Sequence, residues 1–353
     1  MSIVADVRQL SPEWFTSALG RGRVLGVDVE PMNIGAMCQM VRADLKWESG
    51  ASGPGSVVVK FPTTETSTLG LARAMGMYGL EVGFYRDLLP RLGPVSVPTC
   101  YAAEFDSETS LFTLVLEDLG GRARPGDVLT ESTPEECALV LTELARLQAA
   151  SWNDPALLEL PWLAGRQRTY ELFDAMPRGL EPFVKRFGHA LEARQIELFE
   201  EVIPQAGSWV RSWSSPFVLQ HGDLRTDNIL FGSEDKAPPA TFVDFQTVRL
   251  GPPGIDVAYF LGSSLSTATR RSVERELVLG YHTQLTAAGI EGFDFEHCWA
   301  AYREGAMYAV YLFCGLSSQV ASSPRVDQVI ADQTRRYADM ALDLDAPRIA
   351  GLA

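Results

Sequence analysis

The sequence predicts an α+β protein of two lobes: a small antiparallel β lobe with one helix over residues 1–119, and a larger, mostly helical lobe over residues 120–353. Three observations predict it. A chain of 353 residues is expected to form about two units of roughly 100–200 residues each. The first 119 residues set apolar runs between glycine-bearing turns at strand spacing, and from residue 256 onward apolar side chains recur at helical spacing.

The composition limits the function. Hydrophobic residues make up 46% and charged residues 21%, which excludes a disordered polymer and a low-complexity scaffold. Charge is unbalanced, with 30 Lys and Arg against 45 Asp and Glu and a net −15. So acidic a surface repels phosphate backbones and anionic lipid heads, so neither nucleic acid nor a membrane surface is expected as a partner. No feature demands an obligate protein partner. Cys38, Cys100, Cys137, Cys298 and Cys314 form no C-x-x-C pair and are odd in number, which fits neither a disulfide framework nor a zinc site. No basic segment followed by an apolar run opens the chain, and Met307 to Leu316 is too short for a membrane helix of about 20 residues. A cytoplasmic protein is expected.

The elements follow in order. Ser11 at an N-cap and Pro12 at the first helical position predict a short helix over 11–19. Val24 to Val29, Met37 to Trp47 and Val57 to Phe61 predict an antiparallel meander. Ala72 to Leu89 carries Leu80, Phe84 and Leu88 at helical spacing and ends at Pro90. Two further strands, near Cys100 to Glu104 and Leu111 to Leu116, lead into the loop Glu117-Asp118-Leu119-Gly120-Gly121. Thr133-Pro134-Glu135-Glu136 is a capping box that opens a helix through Ser151. Helical segments with breaks at Pro177, Pro182 and Pro204 fill 166–210, and a strand pair follows, Ile229 to Phe231 and Thr241 to Phe245. Helices over about 256–265, 269–288, 294–316 and 325–343 complete the chain.

The chemistry concentrates in His221-Gly222-Asp223-Leu224-Arg225-Thr226-Asp227-Asn228, followed by Asp244-Phe245-Gln246. A hairpin returning across the strand pair is expected to set Asn228 beside Asp244. Both are hard oxygen donors suited to Mg²⁺, which takes one or two carboxylates plus substrate phosphates. A carboxylate at Asp223 can accept the proton of an attacking hydroxyl and orient it toward a transferring phosphoryl group. That spacing resembles the catalytic loop and metal-binding Asp of the protein-kinase-like fold. The strand lysine of that fold is matched by Lys60 in Val57-Val58-Val59-Lys60-Phe61, and its helix glutamate by Glu81. Only Lys46, Lys60, Lys185 and Lys236 are lysines, and an ammonium inside an apolar strand requires a partner.

More narrowly, the chain resembles the aminoglycoside phosphotransferase and choline kinase superfamily, and within it the bacterial ecdysteroid-kinase-like proteins. The resemblance runs over nearly the whole chain and rests on Val59-Lys60-Phe61, Glu81 to Tyr85, Leu116 to Leu119, Ala145 to Gln148, His221 to Asn228, Asp244 to Gln246 and Gly251 to Leu261. It implies ATP- and Mg²⁺-dependent O-phosphorylation of a small molecule, with Asp223 as base and Asn228 and Asp244 on Mg²⁺. Lys60 and Glu81 then position phosphates, and backbone groups of Glu117, Asp118 and Leu119 hold adenine. His221 and Asp256 are assigned as structural support.

The departures also inform. The turn that covers the phosphates is Met32 to Gln39, with Gly35 as its one glycine, so backbone N–H groups must do the binding there. Arg225 stands where the superfamily often has His, and a cation there is suited to the γ-phosphate; a salt bridge to Asp227 is the rival reading. Gly222 replaces the Arg of H-R-D, Gln246 replaces the Gly of D-F-G, and no A-P-E follows, so the acceptor is a small molecule rather than a protein. Two alternatives stand beside this one: a nucleotide-binding pseudokinase or scaffold, and an aminoglycoside-type antibiotic O-phosphotransferase. In the late helix, Trp299, Tyr302 and Tyr308 are candidates for an acceptor pocket, with plain helix core as the competing reading.

Overall fold

The computed structural model describes residues 2–32, 37–164, 166–214, 216–233, 237–317 and 322–352. The chain forms two compact units, Met1–Arg124 with Phe231–Val248, and Pro125–Leu230 with Arg249–Ala353. The first division falls just past residue 119, and Phe231–Val248, expected in the second lobe, belongs to the first unit.

In the first unit, α1 (Pro12–Leu19) starts on Ser11, whose side chain accepts from the Trp14 N–H, and stops at Gly20 in the left-handed region. Five strands follow the sequence closely: β1 (Val24–Met32), β2 (Cys38–Trp47), β3 (Ser56–Pro62), β4 (Cys100–Asp106) and β5 (Leu111–Glu117). They form one antiparallel sheet in the order β1-β2-β3-β5-β4. Side chains alternate across a sheet, so Val57, Val59 and Phe61 of β3 face a core with Trp14, Phe15, Val41 and Val115. Lys60 therefore points to the other face. The single helix expected over 72–89 is two helices, α2 (Thr66–Met75) and α3 (Met77–Gly83), and the chain continues as a π-helical turn over Phe84–Leu88. The break is Gly76, at φ +66°, which caps α2. The earlier start comes from Glu65, whose carboxylate accepts from the Ser67 and Thr68 N–H groups as an N-cap, a residue that hydrophobic periodicity does not detect.

Two short strands, β6 (Ala123–Pro125) and, later, β8 (Ile229–Gly232), lie across the division. The second unit opens with α4 (Pro134–Ala149), where the capping box forms in both directions between Thr133 and Glu136. The short α5 (Pro161–Ala164) precedes the region 166–210, which holds α6 (Gln167–Ala175), α7 (Leu180–Phe187), α8 (Ala193–Val202) and α9 (Ala206–Ser212), the last running two residues past it. Pro177 and Pro204 lie in 3₁₀ turns, whereas Pro182 sits in the first turn of α7, where its missing N–H costs nothing. Strand β7 (Val218–Gln220) pairs antiparallel with β10 (Arg249–Gly251), while β9 (Ala240–Phe242) belongs to the first unit and stops short of the expected Phe245. Four long helices end the chain, α10 (Gly254–Ser264), α11 (Thr267–Ala287), α12 (Phe295–Ser317) and α13 (Pro324–Asp343), with the short α14 (Ala346–Ile349). Helices α10 and α12 cross at closely opposed glycines. A Cβ on Gly254 would lie 2.0 Å from the Ala301 carbonyl oxygen, and one on Gly305 would lie 2.5 Å from that of Gly254.

Candidate active site

In the first unit, Lys60, Glu81 and Asp244 form a cluster of charge. Lys60 is 3% exposed, and its Nζ donates to Glu81 Oε1 at 2.6 Å and to Asp244 Oδ1 at 2.9 Å. Central position in β3, between Met40 of β2 and Leu114 of β5, fixes the lysine backbone. Glu81 reaches it from α3 and is fully buried. Burial alone would lower the lysine pKa, but the carboxylates of Asp244 and Glu81 outweigh it and hold the ammonium well above its ordinary range.

The segment Asp244-Phe245-Gln246 closes around this pair. Asp244 sits at φ +68°, a region that residues other than glycine enter uncommonly and chiefly at functional positions. Phe245 stacks on Phe84 with centroids 3.6 Å apart. Gln246 is buried, and its Nε2 donates to Glu81 Oε2 at 3.3 Å. Glu81 thus receives a donor at each oxygen. Asp244, with its side chain 36% exposed, is the open member of the group.

Elsewhere in this unit, the Asp118 carbonyl accepts from Arg122 Nη2 at 2.8 Å, and the Leu119 carbonyl accepts from the Arg122 and Ala123 amides. Arg122 also pairs with the Glu117 carboxylate at 2.7 Å. Of the expected adenine-holding backbone, two carbonyls are therefore engaged inside the chain. Gly35 of the expected phosphate turn lies outside the described residues.

The second unit holds the loop His221 to Asn228. Asp256, near the start of α10, is fully buried and accepts from the His221 N–H at 2.7 Å and the Gly222 N–H at 3.0 Å. Burial pushes its carboxyl up, against the opposing pull of His221, Arg249 and the two backbone donors. Gly222 takes φ +83°, which explains a glycine where protein kinases carry Arg: the turn needs the left-handed region. The His221 Nδ1 accepts from the Asp223 N–H at 3.3 Å.

Three donors converge on the Asp223 carboxylate. Oδ1 accepts from Arg225 Nε at 3.0 Å and from the Tyr259 hydroxyl at 3.1 Å, and Oδ2 accepts from Asn228 Nδ2 at 3.2 Å. Asn228 also donates to the Asp223 carbonyl at 2.8 Å, which leaves the Asn228 side-chain oxygen as an uncharged hard donor. The Arg225 guanidinium is raised chiefly by Asp223, and its second acid, Asp227, is 3.7 Å away.

The three aromatic candidates part company. Tyr302 is buried, donates to Glu274 at 2.6 Å, and has Trp299 beside it at 5.2 Å. Tyr308 instead donates to the Gly222 carbonyl at 2.9 Å and packs edge-on to Tyr259. Sequence reasoning missed Tyr259 and gave Gln246 no role. The signal for Tyr259 was available, since it follows Asp256 by three residues and so shares its helix face. Nothing in the spacing marks Gln246 as a partner of Glu81. Among the described residues, no group of three or more His, Cys, Asp or Glu could hold a metal ion, and no helix is long and apolar enough to cross a membrane.

Comparison with known proteins decides the family. Residues 35–289 match the model of the ecdysteroid kinase-like family. The chain belongs to the ecdysteroid kinase-like family. An uncharacterized kinase-like protein of Caenorhabditis elegans is 25% identical to this family member over 243 residues, covering 63% of this chain and 61% of the relative. The match thus spans less than two thirds of that relative's length. Among solved structures, the Plasmodium vivax ethanolamine kinase is similar at a TM-score of 0.52, with 12% identity over 93% of this chain and 83% of its own. The GDP complex of an aminoglycoside 2′-phosphotransferase is similar at 0.52, with 14% identity over 93% of this chain and 97% of its own. At these identities the likeness is one of fold. The ecdysteroid kinase-like chain has the two-lobed α+β protein-kinase-like fold.

Proposed function

We propose that this ecdysteroid kinase-like protein transfers the γ-phosphoryl group of ATP to a hydroxyl of a small molecule, with Asp223 as the general base. The observation that carries the reading is the Asp223 carboxylate, 27% exposed at its side chain and held by Arg225, Tyr259 and Asn228. A carboxylate oriented by three donors yet open to solvent suits proton removal from a bound alcohol, an effect worth about 10²–10⁴ in rate. In the step, the acceptor O–H proton passes to Asp223, the acceptor oxygen bonds to the γ-phosphorus, and the bond from that phosphorus to the β-bridging oxygen breaks to release ADP.

The remaining roles follow by chemistry. Lys60, kept protonated between Glu81 and Asp244, supplies fixed positive charge for nucleotide phosphates. By side-chain chemistry we assign the Asp244 carboxylate and the Asn228 amide oxygen, each a hard oxygen donor, to Mg²⁺, an ion that takes one or two carboxylates alongside substrate phosphates. When bound, Mg²⁺ would neutralise charge on the β- and γ-phosphate oxygens. We assign Arg225 to the Asp223 carboxylate, with any contact to phosphate secondary, and the backbone of Glu117–Leu119 to adenine. The first lobe then serves the nucleotide, and the second the base and the acceptor. Use of ATP and five cysteines outside any disulfide support a cytoplasmic setting. A binding-only protein has no need of a base so held, which favours turnover over a scaffold role.

The test is a screen of purified protein with Mg²⁺ and ATP against a library of small alcohols, read by mass spectrometry for the gain of one phosphoryl group. Phosphorylation of at least one alcohol is expected. ATP binding without any phosphorylated product would contradict the reading.

A further inference from the structure

Resting on the phosphotransferase reading, we propose that Tyr259 is a positioning residue for Asp223, anchoring Oδ1 so that Oδ2 is the oxygen that takes the acceptor proton. Oδ1 already receives two donors, the Tyr259 hydroxyl at 3.1 Å and Arg225 Nε at 3.0 Å, whereas Oδ2 receives the longer bond from Asn228 alone. An oxygen accepting two hydrogen bonds has its lone pairs committed, so the incoming proton goes to the other.

Tyr259 suits the task because its ring cannot turn away. It is buried, stacked on Tyr337 with centroids 5.5 Å apart and planes 7° from parallel, and met edge-on by Tyr308 at 5.5 Å. Tyr337 also donates to the Tyr259 carbonyl at 3.0 Å. Arg225, by contrast, is a flexible side chain still 31% exposed. One face of α10 thus holds three successive loop residues. Asp256 takes the backbone N–H groups of His221 and Gly222, and Tyr259, three residues on, takes the side chain of Asp223. Tyr308 from α12 secures the Gly222 carbonyl. In the reaction the acceptor O–H proton moves to Oδ2, the Tyr259 proton stays on its phenol, and after ADP and the phosphate ester leave, Oδ2 returns its proton to water.

The experiment is a double-mutant cycle of Tyr259→Phe and Asp223→Asn, read in two ways. With an alcohol that the wild type phosphorylates, Y259F should lower kcat about ten-fold, the effect of one hydrogen bond to a charged group, with the KM for ATP within about two-fold of wild type. In the D223N background the same substitution should change the residual rate by less than about two-fold. Thermal unfolding of the four proteins should likewise be non-additive, the Tm shift of Y259F shrinking once Asp223 is Asn. An unchanged kcat in Y259F, or an equal loss in both backgrounds, overturns the proposal. If the wild type phosphorylates no alcohol, the phosphotransferase reading fails, and the thermal cycle decides alone: additive Tm shifts overturn the anchoring of Asp223, and non-additive shifts support it.

Discussion

Gln246 Nε2 donates to Glu81 Oε2 at 3.3 Å while Lys60 occupies the other Glu81 oxygen at 2.6 Å. The glutamine stands where a D-F-G motif would place glycine, and it gives the buried glutamate a second donor. Removing it leaves Glu81 Oε2 buried without that bond, at a cost of about 1–3 kcal/mol. Gln246→Ala should therefore lower unfolding stability by that amount in urea and weaken ATP binding several-fold by calorimetry. Wild-type stability and affinity in Q246A would remove Gln246 from the cluster.

Lys60 itself should be harder to lose. Lys60→Met leaves Glu81 buried without its cation, and breaking such a pair costs about 3–5 kcal/mol, whereas replacing both partners by apolar groups is often neutral. Lys60→Met with Glu81→Met should recover much of the stability that K60M loses, yet neither protein should support phosphoryl transfer. Denaturation midpoints of the four proteins check this; a double variant no more stable than K60M contradicts it. The pH dependence has a definite sign. Because the folded pKa of Lys60 is raised, its contribution is fully present below the unfolded value, about 10.4, and is lost as pH climbs above it. The stability difference between wild type and K60M should therefore shrink as pH climbs above about 10.

Asp256 is fully buried and holds the loop through the His221 and Gly222 N–H groups. In Asp256→Asn, one side-chain oxygen that accepts a backbone N–H becomes an NH₂ facing a donor, and a buried charge-assisted bond is lost. We expect a loss of about 3 kcal/mol and a fall in kcat larger than the change in ATP affinity. If D256N keeps both wild-type stability and wild-type kcat, the loop does not depend on this carboxylate.

How much of this was legible in sequence differs by element. The pairing of Lys60 with Glu81 and the support of the His221 to Asn228 loop by Asp256 were readable because residue type and interval carry them, and the late helices because apolar periodicity marks them. The split between α2 and α3 was not, since Gly76 and the cap from Glu65 are backbone events inside a pattern that reads as one helix. Nor was the partner of Arg225. Spacing set Asp223 and Asp227 equally near, and only the folded turn brings Nε to 3.0 Å from the first and leaves 3.7 Å to the second. Tyr259 and Gln246 escaped because they act on other side chains rather than on a ligand.

The thiols give an independent check on packing. Burial pushes Cys38, Cys100, Cys137, Cys298 and Cys314 each up to about 12, and the thiolate is the reactive form. The native protein should react slowly with a disulfide reagent at neutral pH and release five equivalents quickly in guanidinium, where all five cysteines are exposed. Rapid native labelling of Cys38, Cys137, Cys298 or Cys314, the four that are buried, contradicts that burial.

Removal of the acceptor proton by Asp223 is tested by single-turnover transfer from ATP in wild type and Asp223→Asn. With an alcohol that the wild type phosphorylates, D223N should bind MgATP with unchanged affinity and transfer its phosphoryl group about 10²–10⁴ times more slowly. Equal transfer rates in the two proteins would contradict the account.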